Sequence, residues 1–166
     1  IQKVFSSFSD DPVASASIAQ VHRGKLLENG KEVAIKVLRP GIGKIIRKDI
    51  RLLKIIAKIV EKMFSDGKRL RPLAVVEEFE TTIYGELDLS QEAANCTELA
   101  RLHKGDHRIV IPEIYYDYCT KDVIVMEWKN GIPISEVANL REQNIDLVKL
   151  SHYGVEIFYT QVFHFG

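Results

Sequence analysis

A lone lysine, Lys36, sits inside the apolar run Val33, Ala34, Ile35, Val37 and Leu38. A stretch of small residues precedes it: Ala14, Ser15, Ala16, Ser17, Ile18 and Ala19, leading into Gln20, Val21 and His22. An ammonium among apolar neighbours is costly unless an anion meets it. Small side chains let backbone N–H groups approach a polyanion closely. Together the two features read as a phosphate-holding pair, a loop of amides on one side and a lysine reaching across from the next strand. An exposed strand lysine is the plainer reading of Lys36 taken alone. Downstream, Glu86, Asp88 and Glu92 supply carboxylates suited to holding a lysine or a metal ion, with Asp88 and Glu92 on one helical face. The same three also read as an acidic, solvated helix surface. Finally, Val123 to Met126 form an apolar run that ends in Glu127, Trp128, Lys129, Asn130 and Gly131. A bulky residue followed by exposed backbone suits the edge of a base-binding site, or simply an edge strand with its turn.

The elements that must position these groups follow from turn chemistry and periodicity. Phe5 and Phe8 edge a first strand, and Asp10, Asp11 and Pro12 make a turn. Residues 19–27 and 32–38 read as two strands joined at Asn29–Gly30, the strongest short hairpin signal. Residues 43–64 carry Ile46, Ile50, Leu53, Ile56, Ile59, Val60 and Met63 at a helical period. Lys44, Lys48, Arg51, Lys54, Lys58 and Lys62 run along the same helix as a basic stripe. Its apolar face is wide, which predicts burial within the protein, and an anionic membrane surface is the other use for such a helix. Residues 65–68 end it, and Pro72 suits the first turn of the next helix. Residues 73–84 and 86–103 read as two helices or one bent near Gly85. Residues 109–118 and 122–128 read as two further strands. Ser135 is placed to cap a helix over 136–143, and Asp146 to cap one over 147–163 that buries Leu147, Leu150, Val155, Phe158 and Val162. Strands, helices, strands, helices make an α+β layout.

Composition narrows the classes. The 166 residues suffice for one compact domain or part of a larger one. Lys plus Arg and Asp plus Glu each number 23, so the formal net charge is zero, which argues against nucleic acid as a partner. Two cysteines, Cys96 and Cys119, make no disulfide framework and point to a reducing compartment. His103 and His107 stand four apart, but Gly105 between them weakens any metal reading. No apolar run is long enough to span a bilayer. Ile1 in place of an initiator Met, and a helix running close to Gly166, read as cuts from a longer protein.

The run from Ala14 to His22, then Val33 to Lys36, Glu86 to Asn95 and Val125 to Pro133, occurs here in the order of the UbiB family. The chain resembles these atypical kinase-like proteins of ubiquinone biosynthesis, also known as aarF-domain kinases, over its whole length. Val-Ala-Ile-Lys is also the spelling of the kinase strand lysine that pairs phosphates and a helix glutamate. Lys36 and Glu92 lie 56 positions apart. Ordinary kinases place that glutamate much sooner, and helices over 43–84 fill the gap, as in the UbiB family.

The resemblance implies a protein-kinase-like small lobe over 1–129, with a helical insert at about 43–84, and the hinge exit with the first large-lobe helices over 130–166. It implies that Ala14, Ser15, Ala16, Ser17, Ile18 and Ala19 form an alanine-rich loop in place of a glycine-rich one. Lys36 corresponds to the strand lysine and Glu92 to its ion-pair partner. Glu86 and Asp88 form the family's Glu-x-Asp motif, Met126 is the gatekeeper, and Glu127, Trp128 and Lys129 are the hinge. ATP or ADP with Mg²⁺ is the implied cofactor. A quinone-precursor lipid and the ubiquinone-biosynthesis enzymes are the implied partners, and the cytoplasmic face of the bacterial inner membrane the implied location. A non-catalytic nucleotide-sensing scaffold and a conventional protein kinase are the competing functions. The family's Lys-x-Gly-Gln motif and its catalytic-loop and metal-binding aspartates are not in this sequence. His164, Phe165 and Gly166 resemble the kinase Asp-Phe-Gly in spelling only and are given no metal role. By itself the segment is therefore expected not to complete phosphoryl transfer.

Overall fold

A computed structural model describes residues 2–64 and 67–164. Its strands are β1 (Phe5–Phe8), β2 (Ala14–Ser15), β3 (Ala19–Leu26), β4 (Glu32–Leu38) and β5 (Val123–Glu127). Among the described residues they form one antiparallel sheet in the order β1–β3–β4–β5, with β2 pairing β3 beyond the end of β1. The sheet and its helices make the α+β, kinase-like small lobe expected from the sequence.

The β3–β4 hairpin turns where Asn29–Gly30 places it. Gly30 adopts φ 68°, a left-handed conformation that suits glycine. The hairpin register pairs Val21 with Lys36 and Ala19 with Leu38, and β5 then pairs Ile124 with Lys36 and Met126 with Ala34. Side chains alternate across a strand, so Val21, Ala34, Lys36, Leu38, Ile124 and Met126 share one face. The opposite face buries Val33, Ile35 and Val125 with Leu26.

The helices are α1 (Ile42–Met63), α2 (Gly67–Leu70), α3 (Pro72–Gly85), α4 (Leu89–Leu102), α5 (Val137–Glu142) and α6 (Leu147–His164). α4 covers the Lys36 face. Leu89 and Ala93 are buried there against Ala19, Leu38 and Ile124. The Leu89 N–H donates to the Lys121 carbonyl at 2.9 Å, and the Tyr116 hydroxyl donates to the Ala93 carbonyl at 3.1 Å. α1 and α3 pack side by side, with Lys54 of α1 ion-paired to Glu80 of α3. No helix among the described residues is long and apolar enough to cross a membrane.

Several sequence expectations change here. Residues 109–118 do not form a strand. They make a single bridge, Ile114 to Met126, and then a 3₁₀ turn at Tyr116–Tyr118. Pro112 cannot donate to a ladder, and the turn sends the Tyr116 hydroxyl to α4 and the Tyr118 hydroxyl to Glu28. The wide apolar face of α1 is buried only at Ile46, Ile50 and Ala57. Leu53, Ile56, Ile59 and Met63 are exposed, because α3 and the short α2 reach only part of the helix surface. Ser135 does not cap α5: the helix starts after Glu136, without a side-chain cap bond, and Glu136 accepts from the Asn139 amide instead.

Asp146 does cap α6, its Oδ1 accepting from the N–H groups of Val148 and Lys149 at 3.0 Å. The covered face of α6 is shifted, however. Leu147, Leu150, Tyr153 and Ile157 are half-buried, whereas Val155, Phe158 and Val162 are exposed. The helix is apolar on two sides, and its contacts decide between them. Arg108 bridges Asp106 at 2.7 Å and Glu156 of α6 at 2.6 Å, which orients that side toward the turn after α4. Residues 65 and 66 of the expected helix stop, and Phe165 and Gly166 of the closing tripeptide, lie outside the described residues.

Candidate functional site

Lys36 projects from the centre of β4, and its Nζ donates to both carboxylate oxygens of Glu92, at 2.7 Å and 2.6 Å. The pair joins residues 56 positions apart. It forms because β4 fixes the lysine and the buried stripe Leu89–Ala93 fixes the helix that carries the glutamate. Both side chains remain partly exposed, so a ligand can reach the ammonium. One turn further along α4, burial pushes the Cys96 thiol up from its ordinary value, and the nearby Glu92 carboxylate adds to this.

The two other carboxylates play different parts. Asp88 is not on a helical face. It is the residue before α4, in extended conformation, and its Oδ1 accepts from the Ser90 N–H at 3.1 Å as an N-cap. Glu86 lies at the C-terminal end of α3 and is exposed. The break at 86–88 turns Glu86, Asp88 and Glu92 toward one depression of about 400 Å³, shared with Thr81, Gln91 and Asn95. Among the described residues no group of three His, Cys, Asp or Glu is arranged to hold a metal ion.

The small-residue stretch forms the turn between β2 and β3. Ala14 and Ser15 pair with Val21 and Gln20, and the Ala16 N–H donates to the Ala19 carbonyl at 2.9 Å. Ala14, Ser15, Ala16 and Ser17 are exposed, Ile18 is half-buried and Ala19 is buried. The β3–β4 register brings this turn to the end of β4, within two strand positions of Lys36.

On the other side of Lys36, Met126 is half-buried opposite Ala34. Beyond it the backbone is less open than the sequence suggests. The Glu127 N–H donates to the Glu113 carbonyl at 2.8 Å, and the Trp128 N–H donates to the Glu32 carbonyl at 3.1 Å. The amides of Glu127 and Trp128 are therefore both engaged within the protein. The Lys129 ammonium, at 2.6 Å, holds the Glu127 carboxyl below its usual range, helped by the Glu113 N–H. The Trp128 ring carries the Arg23 guanidinium 4.8 Å from its centroid, and Arg23 also pairs with Glu32 at 2.7 Å.

The whole chain, residues 1–166, matches the family model described as the ABC1 atypical kinase-like domain. The chain belongs to the ABC1 atypical kinase-like family. It is 49% identical over 163 residues to the "Probable protein kinase UbiB" of Cellvibrio japonicus (strain Ueda107), a match covering 98% of this chain and 29% of that protein. It is 48% identical over 163 residues to the "Probable protein kinase UbiB" of Marinobacter nauticus (strain ATCC 700491 / DSM 11845 / VT8), covering 98% and 30%. The chain thus spans about three-tenths of the length of the curated relatives it matches. Its antiparallel sheet and interposed helices agree with the kinase-like small-lobe fold of that family.

Two residues outside the sequence motifs shape the site. Tyr116 pins α4 through the Ala93 carbonyl and lies 2.7 Å from the Thr97 hydroxyl. Arg39 binds the small-residue turn. The hairpin register offered a signal for Arg39: if Ala19 faces Leu38, then residue 39 falls beside residue 18.

Proposed function

We propose that this segment holds the nucleotide of a UbiB-type atypical kinase or ATPase that uses ATP with Mg²⁺ in support of ubiquinone biosynthesis. The observation that carries the reading is the Lys36–Glu92 pair, an ammonium oriented by a carboxylate on a sheet face beside a turn of small residues. A carboxylate that receives the ammonium with both oxygens fixes its position, which is what a phosphate contact needs. In this reading ATP supplies the transferable γ-phosphoryl group, and Mg²⁺ enters with it. Ala14, Ser15, Ala16, Ser17, Ile18 and Ala19 line the phosphate side. Met126, Glu127, Trp128 and Lys129 line the base side, Glu86 and Asp88 border the nucleotide, and Lys36 meets the phosphates.

Residues 1–129 then act as the small lobe, with the insert at about 43–84, and 130–166 as the exit into the large lobe. The exposed apolar and basic surfaces of α1 suit work at the cytoplasmic face of a bacterial inner membrane, close to a quinone-precursor lipid and the enzymes that process it. The test is Lys36→Ala in the full-length protein. The expected result is loss of MgATP binding and of nucleotide-dependent activity, and ATP turnover equal to the parent protein would refute the assignment.

A further inference from the structure

The turn that faces the proposed phosphates is strapped to the sheet by Arg39, which directly follows β4. The Arg39 backbone N–H donates to the Ile18 carbonyl at 2.8 Å. Its Nε donates to the Ala16 carbonyl at 3.1 Å, and its Nη2 donates to the Ser15 hydroxyl at 2.7 Å. One residue thus reaches three of the six residues of the small-residue stretch, from more than twenty positions downstream. The planar guanidinium suits two acceptors at a fixed angle, a geometry that an ammonium does not reproduce. All three acceptors are neutral oxygens, so these bonds hold the turn without neutralising the positive charge beneath it.

We propose that Arg39 is a positioning residue that sets nucleotide affinity by holding the turn in its receptive shape before the nucleotide arrives. The proposal rests on the nucleotide reading above. Its logic joins two constraints on the same backbone. Alanine has fewer accessible backbone conformations than glycine, so Ala14, Ala16 and Ala19 already narrow what the unliganded turn can do. The Arg39 bonds narrow it further. A turn ordered in advance loses less conformational freedom on binding, and affinity rises without any new contact to the ligand. Where glycine-rich loops close over a ligand, this turn is fixed from behind.

The experiment compares the full-length protein with its Arg39→Gln, Arg39→Lys and Ser15→Ala variants, and with Lys36→Ala as the control for nucleotide binding itself. MgATP and ADP affinities are measured by equilibrium binding, and exchange of the Ala16 amide by hydrogen–deuterium exchange without nucleotide. Arg39→Gln is expected to speed that exchange by at least about five-fold, the effect of losing two side-chain hydrogen bonds on an exposed turn. It is expected to weaken both nucleotides by a similar factor, with a larger change in KM than in kcat. Arg39→Lys is expected to fall close to Arg39→Gln, because charge without the fork does not restore the bonds. Ser15→Ala gives a smaller loss that disappears in the Arg39→Gln background, since one bond cannot be removed twice. Unchanged exchange and affinity in Arg39→Gln, with binding lost in Lys36→Ala, overturns the strap and leaves the nucleotide reading standing. Unchanged binding in Lys36→Ala overturns the nucleotide reading itself, and the role given to Arg39 with it.

Discussion

Replacing Leu89 by Ala tests whether the seating of α4 delivers Glu92 to Lys36. Leu89 is 2% exposed and packs among Ala19, Leu38, Ala93 and Ile124. The substitution removes three carbons, at about 0.8 kcal/mol of transfer free energy each. Ala19 and Ala93 are too small to move into the vacated space, and the sheet behind them is hydrogen-bonded on both sides of β4, so a cavity term adds to the loss. The total falls in the range of about 2–5 kcal/mol seen for buried leucines, with about 3 kcal/mol as the central value. The readout is native-state hydrogen exchange of the α4 amides in the full-length protein. A loss of about 3 kcal/mol speeds their exchange by about a hundred-fold. Nucleotide affinity should fall with it, because Glu92 loses its fixed position. Leu52→Ala is the control: Leu52 is exposed on α1, and its loss should stay within about 0.5 kcal/mol. An α4 that exchanges as slowly in Leu89→Ala as in the parent would refute the argument that this side chain seats the helix.

Other expectations follow from the same geometry. The Arg108 guanidinium beside Asp106 holds that carboxyl well below the usual carboxylate range. A depressed folded-state pKa gives stability that is present above the unfolded value, about 4 for aspartate, and lost as pH falls through the folded one. The parent should therefore lose more thermal stability than Arg108→Gln between pH 4 and pH 2, and parallel curves would count against the pairing. Ala14→Gly and Ala16→Gly should weaken ATP and ADP alike by loosening the turn, and affinities equal to the parent's would argue that the alanines tune nothing. Lys48 and Lys58 are exposed on α1, whereas Lys54 is engaged with Glu80. Charge reversal at Lys48 and Lys58 removes at least about 1 kcal/mol of membrane attraction per residue, so binding to anionic vesicles should drop by about thirty-fold or more; undiminished binding returns the stripe to the role of a solvated face.

Local chemistry made much of the fold legible. Asn29–Gly30 announced its hairpin, the period of α1 announced a helix, and Asp146 announced a cap, because each of these depends on residues within a few positions of one another. The Lys36–Glu92 pair was less accessible. Residue pattern alone put Asp88 and Glu92 on one helical face without saying which would meet Lys36, and family resemblance singled out Glu92. The break at residues 86–88 makes them different, because it turns Asp88 from a helix-face residue into a cap. What stayed hidden was set by packing between distant segments. Periodicity put Leu147, Leu150, Val155, Phe158 and Val162 on the buried side of α6, but could not show which side Arg108 would anchor. It showed the width of the apolar face of α1 but not how little of it α3 covers. Residues 109–118 have strand composition, yet the pull of the Tyr116 hydroxyl toward α4 bends them into a turn after one bridge. Arg39 precedes Pro40 and Gly41 in the sequence, and only the hairpin register brings it under Ala16.

Trp128 is the only tryptophan in this sequence, and it sits at the exit of β5 with a guanidinium against its face. Its indole N–H donates to Asn130 and its own amide is tied to Glu32, so ring and backbone are anchored independently. Indole emission responds to nearby charge and to solvent. Any ligand that displaces Arg23, or draws Glu127 to Lys129 away from β4, alters the surroundings of this ring. The segment thereby carries an intrinsic optical reporter at the place where a bound base is proposed to rest, readable without label or substitution.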